Sequence, residues 1–211
     1  CGKEVTIDPG EVGKLKTDAG LEEKIRQSGS FVTESCVFSA CPKLVRLQTA
    51  IDVEPDYVRG VFMPKSNVVL SGVTFFVEYR VKPDKDAINQ AFRDILTRGV
   101  DNHEHIFRRD RVDNHEHIFR TDRVDNLGYI ISSKTLYSTY VTPSITEIVM
   151  SSLQEFTMQD ALTKSGVIAS RIQEKLNSAL EDTPVKVTKL YFPVGLASSP
   201  KDFEPVKQPL E

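Results

Sequence analysis

The sequence predicts an α+β fold: an antiparallel-rich sheet with helices on one face, joined to a small β-rich N-terminal subdomain. Three observations lead there. Two amphipathic helical stripes between residues 138 and 182 feed straight into a strand. A long apolar strand over 67–81 is followed at once by another helical stripe. The first 56 residues, by contrast, hold mainly short alternating runs divided by turn residues. Strands and helices that fail to alternate one for one favour α+β over a parallel α/β sheet. Three regions follow: 1–56, β-rich; 57–197, α+β, with a duplicated insertion over 100–126; and 198–211, an extended C-terminal tail.

Residues 4–7 alternate as a short strand, ended by the turn chemistry of Asp8-Pro9-Gly10. Residues 11–15 read as a second strand. Residues 21–27 read either as a short helix or as a polar connection closing at Gly29. Residues 31–38 and 44–51 read as strands, the second with Val45 and Leu47 on one side. Residues 58–63 come next, then 67–81, where Val69, Ser71, Val73, Phe75 and Val77 share a side. Ser71-Gly72 marks either a bulge in a central strand or the bend of a hairpin.

Residues 86–97 form a helix with Ala87, Ile88, Ala91, Phe92 and Ile95 on one face, and Gly99 stands where a glycine ends a helix. Residues 127–132 read as a strand and 133–142 as a connection. Pro143 suits the first turn of a helix whose stripe is Ile145, Ile148, Val149, Ser152, Leu153 and Phe156. Thr157 and Asp160 have the spacing of a capping pair for the next helix, which carries Ile168, Ile172, Leu176, Ala179 and Leu180. Pro184 stops that helix, and 185–192 return as a strand.

A chain of 211 residues with 39% hydrophobic and 27% charged side chains has the composition of a folded domain with a substantial core. A net charge of -3 gives no general attraction to nucleic acid, so no nucleic-acid partner is expected. No apolar run approaches the ~20 residues a membrane-spanning helix needs. Nor does any Ser-His-Asp order, phosphate loop or paired-cysteine metal motif occur. The expectation is a protein that is not an enzyme and takes no small-molecule substrate.

Histidine is confined to one place. Residues 100–111, VDNHEHIFRRDR, are followed by 112–123, VDNHEHIFRTDR, which differ only at Arg109 and Thr121. On strands, His103 and His105 share a side, as do His115 and His117. Two antiparallel copies would bring four imidazoles together as a zinc or copper site. The plainer reading is a solvated β-hairpin, because Arg108, Arg109, Arg111, Arg120 and Arg123 are balanced by neighbouring carboxylates.

The chain begins Cys1-Gly2, as a mature bacterial lipoprotein does after its signal is cut before a cysteine. The expectation is acyl lipid on Cys1 and a membrane-anchored, extracytoplasmic protein, with more than one chain needed for stable anchoring at ~0.8 kcal/mol per buried methylene. Cys36 and Cys41 then remain as an even pair, which suits a disulfide in an oxidising compartment. Closing so short a loop adds about 2 kcal/mol. Alkylation without reductant is expected to leave Cys36 and Cys41 unmodified, and intact mass to show acyl chains on Cys1. Two added alkyl groups overturn the first expectation, and an unmodified Cys1 the second.

Several segments together carry a resemblance. Glu4-Val5-Thr6-Ile7-Asp8-Pro9-Gly10-Glu11-Val12-Gly13 reads as strand, turn and strand, and Gly29-Ser30-Phe31 follows. The strand over 67–81 ends Tyr79-Arg80-Val81 before a helix, and Tyr140-Val141 and Pro143 lead into a helical segment reaching Phe156-Thr157. A closing strand runs over 185–193, with Pro200 beyond. The whole resembles the band 7 (SPFH) family of stomatin, prohibitin and flotillin, outside the duplicated segment. Two features depart from it: the duplication sits between the helix at Asp86 and the strand at Leu127, and Pro205 and Pro209 do not begin the coiled coil that follows the family's domain.

The resemblance implies a lipid-anchored scaffold that organises or shields membrane proteins through lateral contacts, as a homo-oligomer or within a larger complex. Glu147, Gln154 and Glu155, with Arg171, Glu174 and Lys175, are then candidate lateral contacts. Two other functions stand beside it. One is an accessory subunit of a membrane assembly, held by the duplicated arm. The other is a metal-binding or sensing lipoprotein using the His-Glu-His repeats.

Overall fold

The computed structural model describes residues 2–33, 41–97 and 128–207. The chain is α+β, and its sheets are mostly antiparallel. It forms two compact units, each assembled from two stretches: Cys1–Ala50 with Val81–Leu136, and Ile51–Arg80 with Tyr137–Glu211. The boundary expected between residues 56 and 57 falls inside a strand instead, so the compact units do not follow the linear regions.

In the first unit, β1 (Lys3–Ile7) pairs antiparallel with β4 (Gly29–Thr33). A second sheet has the order β3-β2-β5-β8, from β2 (Glu11–Thr17), β3 (Gly20–Leu21), β5 (Lys43–Gln48) and β8 (Gly128–Ile131). β5 lies inside this sheet and pairs parallel with β8, which is why Leu44, Val45 and Leu47 are all buried rather than alternating. Residues 22–28 form no helix: Arg26 bridges back to Gly13, so this stretch is the polar connection. The helix α1 (Lys85–Thr97) buries Ala87, Ile88, Ala91, Phe92 and Ile95, the five positions its sequence stripe names. Asp84 caps its start, accepting from the Ala87 N–H at 3.1 Å.

The stretch expected as a connection after β8 is helical. α2 (Ser133–Leu136) starts where the Ser132 hydroxyl accepts from the Thr135 N–H at 3.2 Å. The Gln48 side chain accepts from the Ser133 N–H at 2.8 Å. A π-helical turn, Tyr137–Val141, then leads into α3 (Thr142–Leu153). Pro143 has no N–H to continue an α-helical ladder, and the wider turn directly before it absorbs that break.

The second unit contains that π turn, α3 and a second antiparallel sheet. β6 (Asp52–Met63) pairs with β7 (Val68–Val81), and β7 pairs in turn with β9 (Val185–Tyr191) and β10 (Phe203–Pro205). Val58 opposes Val73 and Val61 opposes Leu70, all four buried, so both strands slip one residue out of alternation between these pairs. Gly60 adopts φ 64° at the slip, and Tyr57 lies so close over Gly72 that a Cβ there would collide with its ring. The bulge reading of Ser71-Gly72 therefore describes the strand, with Leu70 rather than Ser71 turned inward.

After α3, the Thr157–Asp160 capping box opens a short helix α4 (Met158–Thr163), with both reciprocal bonds present. The chain breaks at Lys164 before α5 (Ser165–Ala179), so one expected helix is two. Ile168, Ile172, Leu176 and Leu180 are buried, as is Ala169, whereas Ala179 is exposed. α5 packs on α3 and on β9. The C-terminal segment is not simply a free tail. A Ser199–Asp202 capping box closes a 3₁₀ turn, Pro200–Asp202, and β10 then joins the sheet through Phe203, which is buried opposite Leu70.

Candidate functional site

Several expected sites fall on residues 1, 36, 103, 105, 115 and 117. Cys1, Cys36 and the four histidines His103, His105, His115 and His117 lie outside the described residues, as does the duplicated segment. Cys41 is described, exposed just before β5. Among the described residues, no three His, Cys, Asp or Glu side chains gather to hold a metal ion.

The expected lateral contacts are placed together in part. Glu147 lies exposed on α3, and Gln154 is exposed at its C-terminal end. Glu155 follows and reaches α5: its carboxylate accepts from Arg171 Nε at 3.1 Å and from Lys175 Nζ at 2.9 Å. Arg171 also meets Glu174 at 3.5 Å. The four charges thus form one internal network between the end of α3 and α5, and they partner one another before any outside surface.

The hydrogen bonds from Arg171 and Lys175 hold the Glu155 carboxyl down at about 2 against an ordinary 4.5. A carboxyl lowered on folding stabilises above its unfolded value and loses that contribution as the pH falls through its folded value. Wild type is therefore expected to exceed Glu155→Gln in thermal midpoint near neutral pH. The gap closes as pH falls from 4.5 toward 2, as a pH series of melting curves will read. A gap independent of pH refutes the network's role.

The edges of the second unit's sheet are treated differently. Gln173 and Asn177, one helical turn apart on α5, clamp the backbone of β9. Asn177 donates to the Val187 carbonyl and accepts from the Val187 N–H, each at 2.9 Å. Gln173 donates to the Thr188 carbonyl at 3.2 Å and accepts from the Leu190 N–H at 3.1 Å. Two side-chain amides thus stand in for a neighbouring strand.

β6 is covered differently: the N–H groups of Val53 and Tyr57 donate to the side chains of the preceding Asp52 and Asp56, each at 2.8 Å. It ends the sheet order, and no described strand pairs with its outer side. Pro55, which has no N–H to give, is tolerated in a strand at an edge such as this. Along the strand Val53 is 40% exposed, Tyr57 53% and Phe62 41%. The other face turns Asp52, Glu54 and Asp56 partly inward, where the Tyr137 hydroxyl donates to Asp56 Oδ2 at 2.6 Å. With the Val53 and Tyr57 N–H groups engaged and Pro55 lacking one, the part of this edge left as a template for another strand lies beyond Tyr57, toward Met63.

Sequence reasoning missed both edges. Its strand over 58–63 began six residues late, because Asp52, Glu54, Pro55 and Asp56 look unlike a strand, although Val53, Pro55 and Tyr57 alternate with those carboxylates. Gln173 and Asn177 had a legible signal, two amides at i and i+4 immediately before a strand. No protein-family model matches this chain, and no curated protein matches it.

Proposed function

We propose that this protein is a scaffold of the band 7 type that works at a membrane, organising or shielding membrane proteins through lateral protein contacts. The open edge of β6 carries this reading. The amides of α5 cover β9, whereas no described strand pairs with the outer side of β6, which suits side-by-side assembly through β6. Val53, Tyr57 and Phe62 would supply side-chain contacts while the backbone beyond Tyr57 supplies hydrogen bonds. Among the described residues no helix is long and apolar enough to cross a membrane.

Lysines turned outward at a strand edge oppose pairing with another strand. Crosslinking in native membranes, followed by sedimentation of the purified chain, tests the reading. Wild type is expected to crosslink to copies or membrane proteins, and a Tyr57→Lys/Phe62→Lys double variant to lose those products while keeping its circular dichroism. A protein that stays monomeric at high concentration and yields no crosslinked partner in membranes defeats it.

A further inference from the structure

The first unit contains a groove with more positive charge than its surroundings neutralise. On β2, Lys14 and Lys16 sit two residues apart and so share a face of the strand. Opposite them, Lys85, Asn89, Phe92, Arg93 and Leu96 recur along α1 as a single helical stripe. The two elements enclose a groove of about 560 Å³.

Lys14 is the unusual member. It is only 5% exposed, with its Nζ 5.5 Å from the centre of the Phe92 ring, and it forms no ion pair among the described residues. Burial lowers its pKa below the ordinary lysine value, with Lys85 adding to the effect and Glu22 and Glu23 opposing it. Of these two carboxylates on the groove, Glu22 is already engaged. It accepts from Arg26 at 2.7 and 3.1 Å and from the Leu15 N–H at 2.8 Å. That leaves exposed Glu23 facing Lys14, Lys16, Lys85 and Arg93.

One further feature is locally unfavourable. Lys85 stands at the first residue of a thirteen-residue helix, where the helix dipole disfavours a cation. A buried ammonium without a counterion is costly, and an anion in the groove offsets that cost and the dipole penalty together.

We propose that this groove binds a phosphate group, with Lys14, Lys16 and Arg93 around its oxygens and the half-buried Leu96 beside the ester's carbon chain. A phosphate ester fits better than a carboxylate because it offers more negative charge and more acceptor oxygens to several cations at once. The source is either a soluble phosphate ester or a phospholipid headgroup, which present the same chemistry. The groove stands independently of the scaffold reading, since its residues all belong to the first unit and the β6 edge to the second.

The full chain is to be titrated calorimetrically with glycerol 3-phosphate, and floated with vesicles of phosphatidylglycerol in phosphatidylcholine and of phosphatidylcholine alone. Binding is expected in at least one arm and to weaken with added salt. Lys16→Gln and Arg93→Gln are expected to weaken it about tenfold each, and Lys14→Met to abolish it. Lys65→Gln, an exposed turn lysine in the second unit, binds as wild type does. Binding to glycerol 3-phosphate identifies the soluble ester, and binding to phosphatidylglycerol vesicles alone identifies the headgroup. An unchanged circular dichroism spectrum and a raised thermal midpoint in Lys14→Met show that loss of binding is not loss of fold. No binding in either arm, or equal affinity in wild type and Lys14→Met, overturns the site.

Discussion

Phe92→Ala is expected to destabilise the protein by about 3–5 kcal/mol, the usual cost of emptying a buried aromatic site. Phe92 is fully buried at the centre of α1's apolar stripe, between Ile88 and Ile95, themselves nearly inaccessible. Its ring is also the surface against which Lys14 lies, so truncation leaves the ammonium over a cavity as well as removing apolar contacts. Phe92→Leu keeps most of the volume and is expected to cost below about 1.5 kcal/mol. Urea unfolding followed by circular dichroism reads both as shifts in midpoint at unchanged slope. A loss below about 1 kcal/mol for Phe92→Ala would mean that the helix does not hold this sheet together.

Phe92 also shows where the sequence was legible. Five apolar residues at helical spacing allow only one buried face, and α1 buries all five. The Thr157–Asp160 spacing was equally local, since both bonds of the capping box lie within four residues. Segments whose structure depends on distant residues were harder to read. Residues 133–141 became helical with help from Gln48, 85 positions away from Ser133. The start of β6 is a strand because β7 pairs with it, although its own side chains are largely acidic.

The candidate sites divide in the same way. Charges at 155, 171, 174 and 175 could be listed from the helical pattern, but their mutual neutralisation depends on α5 folding back onto the end of α3. Lys14 reads in sequence as an ordinary polar position on a short strand. In the fold it is buried against Phe92 of α1, a contact that its own strand does not announce.

Two tyrosines in the second unit set one substitution against itself. The rings of Tyr79 and Tyr137 lie 5.1 Å apart, and both side chains are buried, at 0% and 5% exposure. Burial and the nearby carboxylates hold both phenols well above their ordinary pKa, so each hydroxyl is a neutral donor at neutral pH. Tyr137 uses that donor on Asp56 Oδ2, whereas the Tyr79 hydroxyl has no partner among the described residues. Tyr137→Phe removes a hydrogen bond to a charged group and is expected to cost about 1.5–3 kcal/mol. Tyr79→Phe removes a buried polar atom that gains nothing, and is expected to be neutral or stabilising by up to about 1–3 kcal/mol. Urea midpoints of the two variants and their double mutant measure the contrast and its additivity. Equal destabilisation by both would show that the Tyr79 hydroxyl has a partner after all. Because Asp56 belongs to β6, the contrast also reaches the open edge. Tyr137→Phe loosens the strand proposed to receive a neighbour and is expected to weaken assembly. Tyr79→Phe deletes the same atom a ring's breadth away and leaves assembly intact, so the pair separates an ordered β6 edge from general stability as the requirement for association.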